Sequence, residues 1–258
     1  MAVRVGVLGA GGRMGSEVCR AMAADPDLEL VAAVDPHYAG AEAAGVVVAG
    51  TVEALAEARA QVAVHFTLAE AARDNLRWCA AHGVHSVVGT SGLGEGDLAE
   101  LRSLFPGDGG PNCIVAPNFA VGAVLMMRFA EMAAPFFETA EVIELHHDSK
   151  ADAPSGTALA TAERMAAASA AWAADPTTSE VVTGARGGAG AGGIKVHSVR
   201  LRGLVACQEV LLGTTGQTLS IRHDTTDRTC FMPGVVLAVK AVADRPGLTV
   251  GLDALLFG

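Results

Sequence analysis

Basic residues are in short supply in this chain. Eighteen Lys and Arg stand against 28 Asp and Glu, a formal net charge of −10. No basic stripe is available to neutralise phosphates, which argues against a general nucleic-acid binder. Cysteine is sparse too: Cys19, Cys79, Cys113, Cys207 and Cys230 are odd in number, scattered and free of CxxC spacing. That pattern argues against a disulfide framework or a structural zinc site and fits a reducing compartment. No apolar run reaches membrane-spanning length, because Gly, His and charges interrupt every candidate. The start, Met1-Ala2-Val3-Arg4-Val5, runs straight into a strand with no signal-peptide pattern ahead of it. These absences predict a soluble, cytoplasmic protein with neither nucleic acid nor membrane as partner. An anionic substrate would need a local basic pocket inside an acidic protein.

What the chain does contain is apolar mass and glycine. At 258 residues and 51% hydrophobic, with only 18% charged, it can bury a substantial core as one large domain or two smaller ones. The first third alternates aliphatic runs with helical segments. Strands are expected at 3–8, 28–34, 46–48 (weak), 62–66, 84–88 and 114–116, with helices at 16–24 and 68–82. Such β-α-β alternation predicts a parallel sheet with helices on both faces. After Asn118 the pattern changes to a helix at 121–132, a strand at 140–146 and an Ala-rich helix at 156–173. Residues 175–193, ending in a Gly-rich run, read as a flexible surface loop or a mobile lid. Runs at 194–201, 207–213 and 217–223 read as antiparallel strands, and the chain turns helical again from Asp227, ending in 250–256. The parse is α/β: a Rossmann-like dinucleotide-binding domain from 1–118 and 229–258, with an α+β domain inserted at 119–228.

Gly9-Ala10-Gly11-Gly12-Arg13-Met14-Gly15 directly follows the first strand and opens the first helix. Glycines there permit a tight turn and close backbone approach to a pyrophosphate at the helix N-terminus. Asp35 ends the second strand, where an acid can hold an adenosine ribose. Arg13 adds a cation that could accept a 2′-phosphate, which Asp35 would repel, so NADH and NADPH both stay open. Phe66-Thr67 and Gly89-Thr90-Ser91-Gly92 follow later strands at the carboxyl ends, where parallel sheets bind ligands. Ala116-Pro117-Asn118-Phe119 occupies the next strand end and marks the passage between domains. Asn118 could bond a carboxamide or cap a helix.

The densest chemistry lies in Glu144-Leu145-His146-His147-Asp148-Ser149-Lys150-Ala151-Asp152-Ala153-Pro154-Ser155-Gly156-Thr157-Ala158. Two imidazoles and a lysine precede a helix start with Ser155 as candidate cap, which suits binding a small carboxylate and moving a proton. His146 and His147 are neighbours whose side chains diverge in an extended segment, so they do not suggest a shared metal, and no metal site is expected. His65, His82, His85 and His197 lack such company and read as structural.

At these motifs, together with Gly193-Ile194-Lys195-Val196-His197-Ser198-Val199-Arg200 and Asp227-Arg228, the chain resembles the 4-hydroxy-tetrahydrodipicolinate (dihydrodipicolinate) reductase family over nearly its whole length. The resemblance implies a homotetramer joined through the sheets of the substrate domain, and a small dicarboxylate substrate reduced with NADPH or NADH. It implies His146 as main proton donor with Lys150 assisting. His147 would contact substrate, and Gly156 and Thr157, beside Ser155, would bind a substrate carboxylate. Cofactor-binding positions would be Gly9, Ala10, Gly11, Gly12, Arg13, Met14, Asp35, Phe66, Gly89, Thr90, Ser91, Ala116, Pro117, Asn118 and Phe119. Two places depart from the family's habit: Cys207-Gln208-Glu209 sits where many members carry a histidine, and Asp35-Pro36 lacks the basic residue some have after the acid. The alternatives are a related dehydrogenase acting on another amino-acid-derived substrate, or a non-catalytic sensor of the NAD(P) redox state. The His146/Lys150 pair counts against the sensor.

Overall fold

The structure is a computed structural model and describes residues 2–258. The chain divides into two compact units, one of Met1–Val121 with Arg228–Gly258 and the other of Gly122–Asp227.

The first unit is built from β1 (Val3–Leu8), α1 (Arg13–Ala24), β2 (Leu28–Val34), β3 (Glu42–Ala43), β4 (Val46–Ala49), α2 (Ala54–Glu57), β5 (Val62–His65), α3 (Ala69–Ala81), β6 (His85–Val88), α4 (Glu95–Leu104) and β7 (Cys113–Val115). The second unit holds α5 (Val121–Ala133), β8 (Thr139–His146), α6 (Gly156–Ala168), β9 (Gly188–Ala189), β10 (Lys195–Arg200), β11 (Ala206–Thr214) and β12 (Gln217–Thr225). The chain then returns to the first unit with α7 (Met232–Ala241), β13 (Leu248–Val250) and α8 (Asp253–Leu256).

In the first unit eight strands run in the order β13-β7-β6-β5-β1-β2-β4-β3. All pairings are parallel except the β3–β4 hairpin. The near-continuous Val, Ala and Leu runs of β1, β2 and β5 are what a sheet covered on both faces requires. Leu8, Val34, Leu55, Ala63 and Cys79 pack in one buried cluster, and Leu76, Val88, Leu101, Phe105 and Val115 in another. Strand order reverses at β1, with β2 on one side and β5 on the other. Such a reversal opens a crevice at the carboxyl ends of the strands, beside the turn that follows β1.

His65 is fully buried in this unit, with Nε2 3.3 Å from the Ser86 hydroxyl and burial pushing its pKa down to about 3. An unfolded chain binds that proton near the ordinary value of about 6.5, whereas the native chain refuses it, so stability falls as pH drops between those values. The expected slope from this group is about 1.4 kcal/mol per pH unit, or about 2 kcal/mol between pH 7 and 5. Urea unfolding of wild type and His65→Leu at both pH values checks it. The variant should lack that share of the acid loss, and an unchanged difference would remove His65 as its cause.

In the second unit five strands run in the order β12-β11-β8-β10-β9. One sheet face, with Val142, Val196, Val210 and Leu212, is covered by Ala130 of α5 and by Ala158, Ala162 and Met165 of α6. Ile143, Leu145, Val199 and Leu211 alternate onto the opposite face and stay half-exposed.

Several details differ from the sequence reading. β10 pairs parallel to β8, not antiparallel; the antiparallel contacts are β11 with β8, β11 with β12 and β10 with β9. A period-two pattern has no polarity, and the connection through α6 is long enough for a parallel return. The Ala-rich helix ends at Ala168, five residues early. Trp172 packs against the core there, and the Ala173 N–H donates to the Glu138 carbonyl at 2.8 Å, drawing the chain out of the helix. α2, α4 and the β3–β4 hairpin were not expected, and β13 forms a strand at 248–250 within the terminal stretch. The 175–193 segment carries anchors: Arg186 bonds Glu141 at 2.7 Å, Lys195 approaches Asp175 at 3.2 Å, and β9 adds to the sheet edge.

Candidate active site

The turn after β1 is shaped by clashes that any side chain would create. Gly9 has φ +83°, and a Cβ there would lie 2.3 Å from the Phe66 carbonyl oxygen. A Cβ on Gly15 would lie 1.9 Å from the Gly9 carbonyl oxygen, so bare backbone is what lets α1 start against the end of β1. Gly12 is different. It caps α1 with no side-chain bond, has an ordinary φ of −73°, and its Cβ would meet only the Gly9 oxygen at 3.3 Å. Packing does not demand glycine at 12, whereas a pyrophosphate approaching the helix amides would. No acid occupies the first turn of α1.

Around this turn the candidate cofactor residues converge. Asp35 is buried; its carboxylate accepts the Gly11 N–H at 3.1 Å and the His37 N–H at 3.0 Å. The Phe66 ring lies where a Gly89 Cβ would stand, and its centroid is 5.9 Å from that of Phe119. Thr90 joins the ends of β5 and β6, accepting the Thr67 N–H at 3.2 Å and donating to the His65 carbonyl at 3.4 Å. The Ala116 N–H donates to the Val88 carbonyl at 3.0 Å, and Asn118 Oδ1 accepts the Ala120 N–H at 2.8 Å. Ala10 is buried and Met14 half-buried, while Arg13, Ser91 and Pro117 are exposed. Gly9, Gly12, Asp35 and Phe66 help line a cavity of about 680 Å³ with His37 and Glu53, a volume of the order a cofactor requires. The Gly cradle, the uncapped helix and this cavity fit a dinucleotide. No Lys or Arg lines the cavity.

In the second unit the segment from β8 to α6 gathers the other candidates. His146 is the last residue of β8, and its Nδ1 lies 2.5 Å from Oε2 of Glu144, two residues back on the same strand face. Glu144 is fully buried. Arg200, opposite His146 in the β10 register, donates to Glu144 Oε2 at 3.0 Å and Oε1 at 2.9 Å and to the Asp152 carbonyl at 2.6 Å. Burial pushes the Glu144 carboxyl up, but hydrogen bonds from Arg200, Ser198 and His146 outweigh it and hold it below the usual range. Burial pulls His146 down; Glu144 opposes this, Lys150 and Arg200 reinforce it, and the imidazole ends below its ordinary value.

Lys150 sits within electrostatic reach of His146, and its ammonium is held by Asp152 at 2.7 and 2.8 Å. His147 stays outside this network, with Nδ1 2.8 Å from the Ser149 hydroxyl. Ser155 caps α6: its hydroxyl accepts the Ala158 N–H at 3.2 Å, and its own N–H donates to Glu144 at 3.3 Å. Gly156 and Thr157 are the first helical residues, at the positive end of α6. Gln208 and Thr161 brace that end, with Gln208 Nε2 donating to Thr161 Oγ1 at 2.7 Å and Thr161 donating to the Thr157 carbonyl at 2.7 Å.

Sequence reasoning passed over Glu144 and Arg200. The i, i+2 spacing of Glu144 and His146 on an expected strand was a usable signal; the register that brings Arg200 to them was not. The four histidines read as structural, His65, His82, His85 and His197, have local duties. His65 is buried, His82 stacks on Trp78, His85 accepts the Asn112 N–H, and His197 meets Glu141 at 2.7 Å.

Comparison with known proteins agrees across both units. Residues 3–119 match the family described as dihydrodipicolinate reductase, N-terminus, and residues 122–256 that described as dihydrodipicolinate reductase, C-terminus. A 4-hydroxy-tetrahydrodipicolinate reductase of Nocardia farcinica is 50% identical over 259 aligned residues, covering 99% of each chain. One from Thermobifida fusca is 51% identical, covering 98% of this chain and 99% of its own. Among solved structures, the dipicolinate-bound dihydrodipicolinate reductase of Paenisporosarcina sp. TG-14 superposes with a TM-score of 0.87 at 36% identity, covering 98% of this chain and 99% of that one. The glycine cradle after β1 and the histidine–lysine segment before α6 thus sit in a chain matched end to end, and it belongs to the dihydrodipicolinate reductase family.

Proposed function

We propose that the chain catalyses NAD(P)H-dependent reduction of 4-hydroxy-tetrahydrodipicolinate, through its dehydrated cyclic imine, to tetrahydrodipicolinate in diaminopimelate and lysine biosynthesis. The observation that carries this reading is the joint placement of His146, Lys150 and the α6 start in one unit of a chain half identical to reductases of that name. The nicotinamide, when bound, supplies a hydride.

The first unit's role is to hold the dinucleotide. Gly9, Ala10, Gly11, Gly12, Arg13 and Met14 present bare backbone and the α1 N-terminus to the pyrophosphate, and Asp35 faces the adenosine ribose. The strand-end residues Phe66, Gly89, Thr90 and Ser91, with Ala116, Pro117, Asn118 and Phe119, hold the rest of the cofactor. In the second unit His146 gives the proton that follows hydride addition, because the enamine left on the substrate is electron-rich and needs one. Lys150 assists and offsets negative charge. Ser155, Gly156 and Thr157 bring the positive helix end to a substrate carboxylate, and His147 contacts substrate. A small dicarboxylate suits this set, and a solved relative is dipicolinate-bound.

The half-exposed aliphatic face of the second sheet supports assembly as a homotetramer through that face, which sedimentation of the purified protein tests. Dependence on a reduced nicotinamide pool and five free cysteines support a cytoplasmic setting. Among the described residues no helix is long and apolar enough to cross a membrane.

The test couples dihydrodipicolinate synthase, pyruvate and aspartate semialdehyde to this protein and follows nicotinamide absorbance. Synthase-dependent oxidation is expected. Its absence with both cofactors, from folded protein that binds one, would transfer the site to a different imine or to a redox sensor. Cofactor choice is read with Asp35→Ala. Loss of a charged hydrogen bond to a ribose is expected to weaken NADH about tenfold more than NADPH. Equal losses in titration would leave Asp35 only its structural duty of holding the Gly11 amide.

A further inference from the structure

We infer that Glu144, braced by Arg200, is the positioning residue that fixes the tautomer of His146 and thereby makes Nε2 the nitrogen that delivers the proton. The inference rests on His146 being the donor, as proposed above.

The geometry leaves little freedom. Glu144 has no solvent exposure, and its carboxylate meets His146 Nδ1, both terminal nitrogens of Arg200 and the Ser155 N–H. An ionised carboxylate only accepts, so the hydrogen between Glu144 and His146 belongs to Nδ1. Nε2 is then the nitrogen whose proton is exchanged. In the step itself the imidazolium Nε2–H bond breaks, a C–H bond forms on the substrate enamine, and neutral imidazole remains with Nδ1–H donated to Glu144. The same carboxylate stabilises the imidazolium before transfer. Arg200 keeps Glu144 ionised and ties it to the Asp152 carbonyl, so the loop carrying Lys150 is braced by the same side chain. The charged groups facing His146 are Glu144 on its own strand, Arg200 from β10 and Lys150 from the loop; its partner on β11 is Ala206.

Glu144→Gln separates this role from a purely structural one. Arg200 would claim the amide oxygen, turning the amide NH₂ toward His146. Nδ1 would then have to accept, the neutral ring would carry its proton on Nε2, and the imidazolium would be disfavoured. In the coupled assay with full-length protein, kcat is expected to fall about a hundredfold. The alkaline limb of the kcat profile should move about one unit to lower pH. Glu144→Asp, which keeps the charge, should recover part of the rate with the limb near its original position. If Glu144 served only to anchor the start of α6, the Gln variant would lose stability and raise KM with the limb unmoved, and the inference would fall.

A second measurement does not depend on the Glu144 variants folding. Two-bond ¹H–¹⁵N correlation of ¹⁵N-histidine-labelled wild type, with the His146 signal identified by its loss in His146→Ala, should show neutral His146 as the Nδ1–H tautomer. An Nε2–H tautomer overturns the inference. Full activity in His146→Ala would instead overturn the proton-donor reading beneath it.

Discussion

His146→Ala is expected to lower kcat in the coupled assay by about 10²–10⁴-fold, the range for loss of a positioned acid. Dinucleotide affinity should be unchanged, because the cradle at Gly9–Gly15 belongs to the other unit. Lys150→Ala is expected to lose turnover by about 10² as well, with KM for the dicarboxylate rising, since it removes charge that substrate would use. Asp152 holds that charge, at 2.7 and 2.8 Å, from a side chain that is mostly exposed. A substrate carboxylate has only to displace a solvated partner. The pH dependence follows from the same charges. Burial, Lys150 and Arg200 keep the free enzyme's His146 below its ordinary value of 6.5, so the acid form is already depleted before pH reaches neutrality. Binding a dicarboxylate adds negative charge beside the imidazole and raises its pKa. The alkaline limb of kcat should therefore lie at higher pH than that of kcat/KM. Coincident limbs, or a His146→Ala variant within about threefold of wild type, would remove His146 from the proton step.

How much of this was legible in the sequence depends on whether the information is local. The glycine turn, Asp35 at the end of β2 and the run from His146 to Thr157 are local patterns, and each lies at a strand end or a helix start as its residues predict. Aliphatic runs placed β1, β2, β4, β5, β6 and β7 to within a residue or two, but not the edge strand β13. Direction and register are non-local: nothing in the alternation of Val196, Ser198 and Arg200 says that β10 runs parallel to β8 or that Arg200 comes to lie opposite His146. The Glu144–Arg200 pair is therefore out of reach of local pattern, although Glu144 itself stands two residues before the histidine. α4 was missed for a different reason. Its Leu98, Leu101 and Leu104 spacing is helical, but its half-buried face is short and its ties to α3, Arg73 to Asp97 and Arg77 to Glu100, are contacts across 23 or 24 residues. The end of α6 shows propensity losing to packing: alanines favour continuing the helix, and the docking of Trp172 stops it.

The largest loss of stability is expected at Gly15, and the contrast with Gly12 makes it informative. In Gly15→Ala the new methyl would stand 1.9 Å from the Gly9 oxygen, 2.6 Å from the Gly9 carbonyl carbon and 2.9 Å from the Ala10 Cα. All three are backbone atoms of the turn, so no side chain can swing away, and α1 has to lift from β1. Overpacking of this kind costs about 3 kcal/mol, out of a total that is typically about 5–15 kcal/mol. The melting temperature should fall by about 6–12 °C, and dinucleotide binding should be lost with the geometry of the turn. Gly12→Ala brings a methyl to 3.3 Å from one oxygen at an ordinary φ, so stability should stay within about 1 kcal/mol of wild type. Its dinucleotide Kd should nevertheless rise at least about tenfold, because the methyl occupies the approach of the pyrophosphate to the α1 amides. Thermal melts and calorimetric titration of the two variants separate a glycine that packing needs from one that a ligand needs. Tight binding in a stable Gly12→Ala protein would move the pyrophosphate away from the start of α1, and with it the role of the whole turn.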